Sequence, residues 1–190
     1  IIANNLANSS TTGYKKDRGI EETFSEVFLA RLEKGKSSTS IGKIGQGVGM
    51  KDSFTDHKQG ELKYTGDEYD LAIEGEGFFV IDTAQGRRYS RNGNFSINKE
   101  GYIVTQSGDP VCAKDGLLEG SSFSSKTELN EILIANCPDK MNLKKDKDNY
   151  FYYEGDNLKR AENFKLKQGY LESSNVSVIK EMVRMIEVNR

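Results

Sequence analysis

The stretch "YDLAIEGEGFFVID", residues 69–82, governs the interpretation of the centre of the chain. After Gly77 its apolar residues occupy both phases of a two-residue alternation, which is typical of a strand buried on both faces. The alternative is a nucleotide-binding turn, but Val80 stands where the third glycine of that fingerprint belongs, and Glu76 puts a carboxylate where pyrophosphate would bind. We therefore predict that Gly75 and Gly77 form a structural turn, a bend or bulge in a sheet.

The neighbouring sequence continues the strand pattern. Apolar and polar residues alternate from Val48 to about Val111, with turn residues at regular intervals, which predicts sheet. The pair Asn92-Gly93 predicts a hairpin between its flanking strands, and a second turn follows at residues 98–101. The stretch "ELNEILIANC", residues 128–137, predicts one more strand.

Two segments before the sheet have other patterns. Residues 20–34 carry apolar side chains at helical spacing and are followed by Gly35, so we predict a helix whose apolar face comprises Phe24, Val27, Phe28 and Leu32. Residues 35–50, "GKSSTSIGKIGQGVGM", mix glycines with serines and predict an extended connector.

Both ends of the chain indicate helices. The first residues are compatible with the last turns of a helix that ends in a run of Asn, Ser, Thr and Gly, and we assign the turn to Asn8 and Gly13. Residues 174–190 form an amphipathic pattern with no terminating Gly or Pro. Because the chain begins at Ile1 rather than Met, we expect trimmed ends and two partial helices that need a partner. The expected apolar seam comprises Ile2, Leu6, Ile179, Met182, Val183 and Ile186.

These patterns predict a mainly β protein: a compact β domain with helical stubs at its N and C termini. We place the N-terminal helix stub and connector at residues 1–47, the β core at 48–167 and the C-terminal helix stub at 168–190. A length of 190 residues suits one main domain. The net charge of −2 disfavours nucleic-acid partners, and no apolar run approaches the roughly 20 residues that cross a bilayer.

The sequence contains little that indicates chemistry. His57 is the sole histidine, which excludes a two-histidine metal site, and its polar neighbours predict a surface turn without a catalytic role. The segment "ARLEKGKS", residues 30–37, only loosely resembles a phosphate loop. Cys112 and Cys137 are either a disulfide pair or, as we favour, two separate thiols. We predict no catalytic residue, cofactor, metal or small-molecule substrate.

Three blocks of the sequence resemble the axial rod and hook proteins of the bacterial flagellar basal body. They are "ANNLANSSTTGYK" at residues 3–15, "QGELKYTGDEYDLAIEGEGFF" at residues 59–79 with "YSRNGNFSINKEGYIVTQSG" after it, and "QGYLESSNVSVIKEMVRMIEVNR" at residues 168–190. Together they cover well over half of the chain in the family's order. Residues 112–167 match poorly and look short for the family.

The resemblance implies a structural protein rather than an enzyme. Members of this family pair their terminal helices in an inner coiled layer, carry a β domain outside it, and stack into the rod that transmits torque from motor to hook. Implied partners are other copies, other rod and hook subunits and the flagellar type III export apparatus. The implied location is the basal body in the cell envelope, after export from the cytoplasm. Either a distal or a proximal rod protein fits.

Three alternatives are kept. The first is a hook-type axial protein. The second is a peptidoglycan-directed enzyme, which would use a carboxylate pair such as Glu74 and Glu76. The third is a soluble adhesin or binding module with a β core, which would be a stable monomer without terminal helices.

Overall fold

A computed structural model describes residues 1–23, 27–31, 39–44, 48–114, 116–120, 131–155, 159–161 and 163–188, with the backbone alone over residues 20–52. The chain divides into two compact units. One unit comprises Ile1–Lys16 and Thr55–Arg190, and the other comprises Asp17–Phe54. The predicted division at residues 47/48 and 167/168 stays a prediction.

The smaller unit is built from strands. They are β1 (Asp17–Thr23), β2 (Val27–Arg31), β3 (Thr39–Ile44) and β4 (Val48–Thr55). Strand β1 pairs with β4, and β2 pairs with β3 in an antiparallel ladder whose register shifts between Leu29 and Ala30.

The helix predicted over residues 20–34 is therefore wrong where the structure describes this segment. Ile20, Thr23, Val27 and Phe28 belong to the residue types that favour strands, and pairing with β3 and β4 satisfies their backbone groups. Phe24 and Leu32 lie outside the described residues. The predicted connector also contributes ladder strands, β3 and β4, instead of an unpaired extended chain.

The larger unit includes two short 3-10 helices, Lys140–Asn142 and Lys147–Asn149. Its other described elements are α-helices and strands. They are helices α1 (Ile2–Ala7) and α2 (Val178–Val188) and strands β5 (Leu62–Tyr64), β6 (Leu71–Gly75), β7 (Phe78–Thr83), β8 (Gly86–Ser90), β9 (Phe95–Ile97), β10 (Ile103–Thr105), β11 (Cys112–Ala113), β12 (Gly116–Leu117), β13 (Ile134–Asn136), β14 (Leu143–Lys145), β15 (Phe151–Tyr153), β16 (Lys159–Arg160), β17 (Phe164–Gln168) and β18 (Tyr170–Glu172). The predicted mainly β class with short terminal helices is confirmed.

Strand β7 organises the core of this unit. It lies inside an antiparallel six-stranded sheet of order β14-β15-β8-β7-β13-β16. Phe79 and Ile81 pack into one hydrophobic cluster, with Leu71, Ile73 and Ile103, while Phe78 and Val80 pack into a second cluster on the other face. The prediction of a strand buried on both faces is confirmed.

Asn92-Gly93 does not form the predicted hairpin. Strand β8 pairs with β7 and β15, whereas β9 pairs with β10, so the chain leaves one sheet at Asn92-Gly93 and enters another ladder. The N–H of Leu71 donates to the carbonyl of Gly93 at 2.9 Å. A Cβ atom on Gly93 would lie 1.6 Å from the carbonyl oxygen of Leu71, so close backbone approach, not turn geometry, requires this glycine. The turn predicted at residues 98–101 does connect β9 and β10.

The terminal helices α1 and α2 contact each other. Among the described residues, no helix combines the length and apolar character that a bilayer span requires.

We expect Gly93→Ala to lower the free energy of unfolding by about 3 kcal/mol or more, because the new methyl group overlaps backbone that cannot move without breaking the ladder. The matched control is Gly108→Ala, at a positive φ with open space around it, which should cost only the backbone strain of about 1–2 kcal/mol. Urea denaturation of the two variants measures the difference, and equal losses would contradict the close approach.

Candidate functional site: the paired chain ends and the exposed helix face

Helices α1 and α2 contact each other, and a hydrogen bond between buried polar side chains joins them. Asn5 and Glu181 are both buried, and the Asn5 Nδ2 donates to Glu181 Oε2 at 3.3 Å. The Tyr14 hydroxyl donates to Asn4 Oδ1 at 2.7 Å, and Arg184 Nη1 lies 3.6 Å from Glu181 Oε1. Glu181 is the sole fully buried residue among the described residues of α2. With Glu181 turned inward, the opposite side of α2 faces solvent.

The apolar face of α2 is exposed. Ile179, Met182, Val183 and Ile186 follow the i, i+3, i+4, i+7 spacing of one helix face, and their exposed fractions are 76, 49, 49 and 70 %. On α1, Ile2 and Leu6 are half-buried. The structure thus places the four predicted residues of α2 together on one surface, which this single copy does not cover.

A buried ion cluster of Lys15, Arg91 and Glu172 lies beside the paired ends. Lys15 Nζ is 2.5 Å from Glu172 Oε1, and Arg91 Nη1 is 3.1 Å from Glu172 Oε2. The N–H of Gly60 also donates to Glu172 Oε1, at 2.8 Å, and Lys15 Nζ donates to the carbonyl of Lys58 at 2.7 Å. One carboxylate therefore joins the N-terminal segment, the β-sheet part of the larger unit and the C-terminal segment.

The electrostatics of this cluster are those of charges removed from water. Burial lowers the pKa of Lys15, opposed by the charge and hydrogen bond of Glu172, and burial lowers the pKa of Arg91 in the same way. Sequence reasoning missed all three residues, because charged side chains are usually solvated and their positions are far apart in the chain. The available signal was their position inside the three blocks that resemble the rod and hook proteins.

Asn8 and Gly13 lie in the segment that connects α1 to this cluster. The backbone N–H and the Nδ2 of Asn8 both donate to the carbonyl of Asn4, at 3.1 and 2.9 Å, where α1 ends. Gly13 is buried, and its N–H donates to the carbonyl of Glu172 at 2.7 Å. Asn175 then fixes the departure of the chain towards α2, since its Oδ1 accepts from the Lys16 N–H at 2.8 Å.

Gly75 and Gly77 lie where the chain passes from β6, paired with β17, to β7 in the six-stranded sheet. Their φ angles are +110° and +126°, and a Cβ on Gly77 would lie 2.5 Å from Cγ2 of Ile134. Arg91 Nη2 donates to the carbonyl of Gly75 at 2.6 Å, which ties this turn to the buried ion cluster.

The carboxylates considered for an enzymatic role are exposed and ion-paired. Glu74 Oε2 is 3.3 Å from Lys167 Nζ, and Glu76 Oε1 is 3.0 Å from Lys140 Nζ. The hydrogen bond and charge of Lys140 lower the pKa of Glu76, the direction opposite to that of a general acid. Within the described part of the chain, no cluster of His, Cys, Asp and Glu could hold a metal ion.

The surface position predicted for His57 is wrong. The ring is half-buried and packs 5.7 Å from Phe78 and 5.3 Å from Phe151, centroid to centroid, and neither nitrogen has a hydrogen-bond partner among the described residues. The Asp56 N–H donates to the carbonyl of Lys16 at 2.8 Å, and the next side chain, His57, turns inward because its ring packs against Phe78 and Phe151. Cys112 and Cys137 are buried, separate thiols, as favoured.

We expect Glu172→Gln to lower the free energy of unfolding by about 3–5 kcal/mol, because two buried cations lose their counter-charge. The matched control is Glu74→Gln, which removes an exposed ion pair and should cost less than about 1 kcal/mol. Chemical denaturation at neutral pH measures both. A loss at Glu172 no larger than that at Glu74 would contradict a structural role for the cluster.

His57 should make the fold sensitive to acid. Burial, with the nearby charges of Lys15, Lys140, Arg91 and Lys145, lowers the pKa of His57 to about 4, from 6.5. Between pH 4 and pH 6.5, His57 binds a proton in the unfolded chain but not in the folded chain. The contribution of the neutral, buried imidazole to the free energy of unfolding is therefore complete above pH 6.5 and decreases as the pH falls to 4. The loss is about 3 kcal/mol at most.

The measurement compares the wild type with His57→Phe, so that the pH dependence due to carboxylates, which both proteins share, cancels in the difference. As the pH is lowered from 7 to 4, the free energy of unfolding of the variant should rise relative to that of the wild type. A difference that does not change with pH would show that the imidazole titrates normally.

Models of known protein families match the chain in the same three regions. Residues 1–15 match the family model described as "Flagella basal body rod protein". Residues 72–146 match "Flagellar hook protein FlgE/F/G D1 domain", and residues 167–190 match "Flagellar basal body rod FlgEFG protein C-terminal". The buried ion cluster draws Lys15 from the first block and Glu172 from the last.

Curated relatives align over the whole chain. The flagellar basal-body rod protein FlgF of Caulobacter vibrioides is 32% identical, over 100% of this chain and 81% of its own length. The flagellar basal-body rod protein FlgG of Agrobacterium fabrum is 31% identical, over 100% and 84%. The flagellar hook-basal body complex protein FlhO of Bacillus subtilis is 30% identical, over 100% and 83%.

Proposed function

We propose, from the premise that the chain belongs to the flagellar basal-body rod protein family, that the apolar face of α2 is the surface through which it is held in the rod. The family resemblance predicted from the sequence blocks is confirmed, and the protein is a structural, non-enzymatic subunit of the basal-body rod. As a rod subunit it associates with other axial proteins of the flagellum.

The observation that supports this proposal is the orientation of α2. Its buried side is occupied by Glu181 and its contact with Asn5, whereas four large apolar side chains are exposed on the other side. A contiguous exposed apolar stripe on a helix is the usual mark of a helix–helix interface. We assign the stripe, with Ile2 and Leu6 of α1 at its margin, to contacts with neighbouring subunits.

The finer predictions belong to this proposal. Residues 1–47 and 168–190 contribute to the inner axial layer, and residues 48–167 form the β domain outside it. The turns at Asn8, Gly13, Gly75 and Gly77 fix how the chain passes between these parts. Partners are further copies of this chain, neighbouring rod or hook subunits and the type III export apparatus, and the assembled rod transmits torque from motor to hook.

We expect the double variant Met182→Glu, Ile186→Glu to remain folded but to lose rod assembly, because carboxylates on a buried seam are costly to desolvate. The control is Lys180→Glu, an exposed α2 residue outside the stripe. Each variant of the full-length protein replaces the wild type in a deletion strain, and electron microscopy of purified basal bodies scores the rods. Complete rods in the double variant would end the proposal, and thermal unfolding verifies that the variant is folded.

A further inference from the structure

A basic pocket of about 190 Å³ lies on one face of the six-stranded sheet, across strands β8, β7, β13 and β16. Val80 and Ala135 form its floor with Tyr89, and three exposed cations line it. Arg87 and Arg160 share the face of this floor, whereas Lys159 lies opposite Asn136, on the other face at the edge strand β16. Tyr89 lies opposite Val80 and Arg160 lies opposite Ala135 in the antiparallel register, so these side chains share one face.

The cations of the basic pocket are not ion-paired within the part of the chain that the structure describes. None of the three forms an ion pair with any residue that the structure describes, although Asp82 is the register partner of Arg87. Their neighbours Arg88 and Lys140, in contrast, are paired with Asp146 and Glu76. In a chain of net charge −2, this is a local accumulation of unpaired positive charge above an apolar floor.

The same unit carries a surface of opposite charge, the acidic tip, between β5 and β6. Tyr64 is 68 % exposed, and Asp67 and Glu68 are exposed beside it. Backbone hydrogen bonds at 2.8 Å, from Thr65 N–H to Gly169 and from Gly169 N–H to Asp70, hold the tip in one conformation. Neither acid forms an ion pair within the described part of the chain, whereas Glu74 on the adjoining strand does.

We propose that the acidic tip of one copy docks in the basic pocket of the next copy. The proposal rests on the proposed function, since it requires rod subunits to meet. The two surfaces differ and belong to one chain, so their contact is head-to-tail and repeats along an open assembly, as a rod needs. Tyr64 meets the apolar floor, and Asp67 and Glu68 pair with the surrounding cations, the arrangement of an aromatic anchor within a polar rim.

Charge exchange in the full-length protein tests this docking. Arg87→Glu with Arg160→Glu reverses the pocket, and Asp67→Lys with Glu68→Lys reverses the tip. Each pair should raise the concentration needed for polymerisation, read by light scattering and electron microscopy, at least tenfold at low salt. The chain that carries all four changes should recover, because attraction is restored with the signs exchanged. Lys99→Glu with Lys180→Glu, which makes the same charge change as the pocket variant elsewhere on the surface, is the control for that variant.

Each outcome identifies what binds in the basic pocket. Absence of recovery in the four-fold variant, while thermal unfolding shows it folded, overturns the docking. Binding of inorganic phosphate to the wild-type pocket without recovery also overturns it and assigns the pocket to a small anion. Loss of rods in cells on reversal of the pocket, with no effect of reversing the tip, overturns the docking and assigns the pocket to another axial protein. Failure of the α2 proposal is separate, because it appears as normal assembly of the Met182→Glu, Ile186→Glu variant.

Discussion

The carboxylate of Glu172 is the contact on which the larger unit depends. It accepts from Lys15, Arg91 and the Gly60 N–H, and all of these donors come from different parts of the chain. A buried ion pair is weak as a source of net stability, since desolvation offsets much of the attraction. Its geometry is nevertheless specific, because both oxygens of one carboxylate are occupied by donors from separate parts of the chain. We infer that the cluster fixes where the two chain ends leave the β structure.

That constraint explains the orientation of the helices. With Lys15 and Glu172 held together, the segment that precedes Lys15 and the segment that follows Glu172 bring Asn5 against Glu181. Glu181 occupies the buried side of α2, so helix geometry places the stripe from Ile179 to Ile186 on the opposite side. A polar contact inside the copy thus determines an apolar surface outside it.

The sequence predicted what depends on local pattern. The burial of Phe78, Phe79, Val80 and Ile81 on both faces followed from their apolar run, and the turn at residues 98–101 followed from its polar residues. The prediction was wrong where distant pairing decides. Asn92-Gly93 has the residue types of a hairpin turn, but the backbone of Leu71 lies against it. Residues 27–31 have helical spacing, but they pair with β3 in an antiparallel ladder. Neither Leu71 nor β3 can be placed by a local window.

The candidate site divides in the same way. The stripe on α2 was visible as a period of 3.6 residues, because it lies within one helix. The buried ion cluster and the inward ring of His57 were not visible, since both arise from residues separated by tens to more than a hundred positions. Charged and titratable residues are assigned to the surface unless a partner is known, and only the fold supplies the partner.

Magnitudes indicate what kind of assembly such a surface supports. Fully burying one aliphatic side chain contributes about 1.5–3 kcal/mol. The four side chains of the stripe are about half to three-quarters exposed, so covering them yields on the order of 5 kcal/mol. Association costs at least about 4 kcal/mol in lost freedom. One stripe therefore barely holds two copies together, and a stable rod follows only when each subunit makes several contacts at once. We therefore expect isolated subunits to stay monomeric, whereas the end of an existing rod, which offers several contacts at once, binds them.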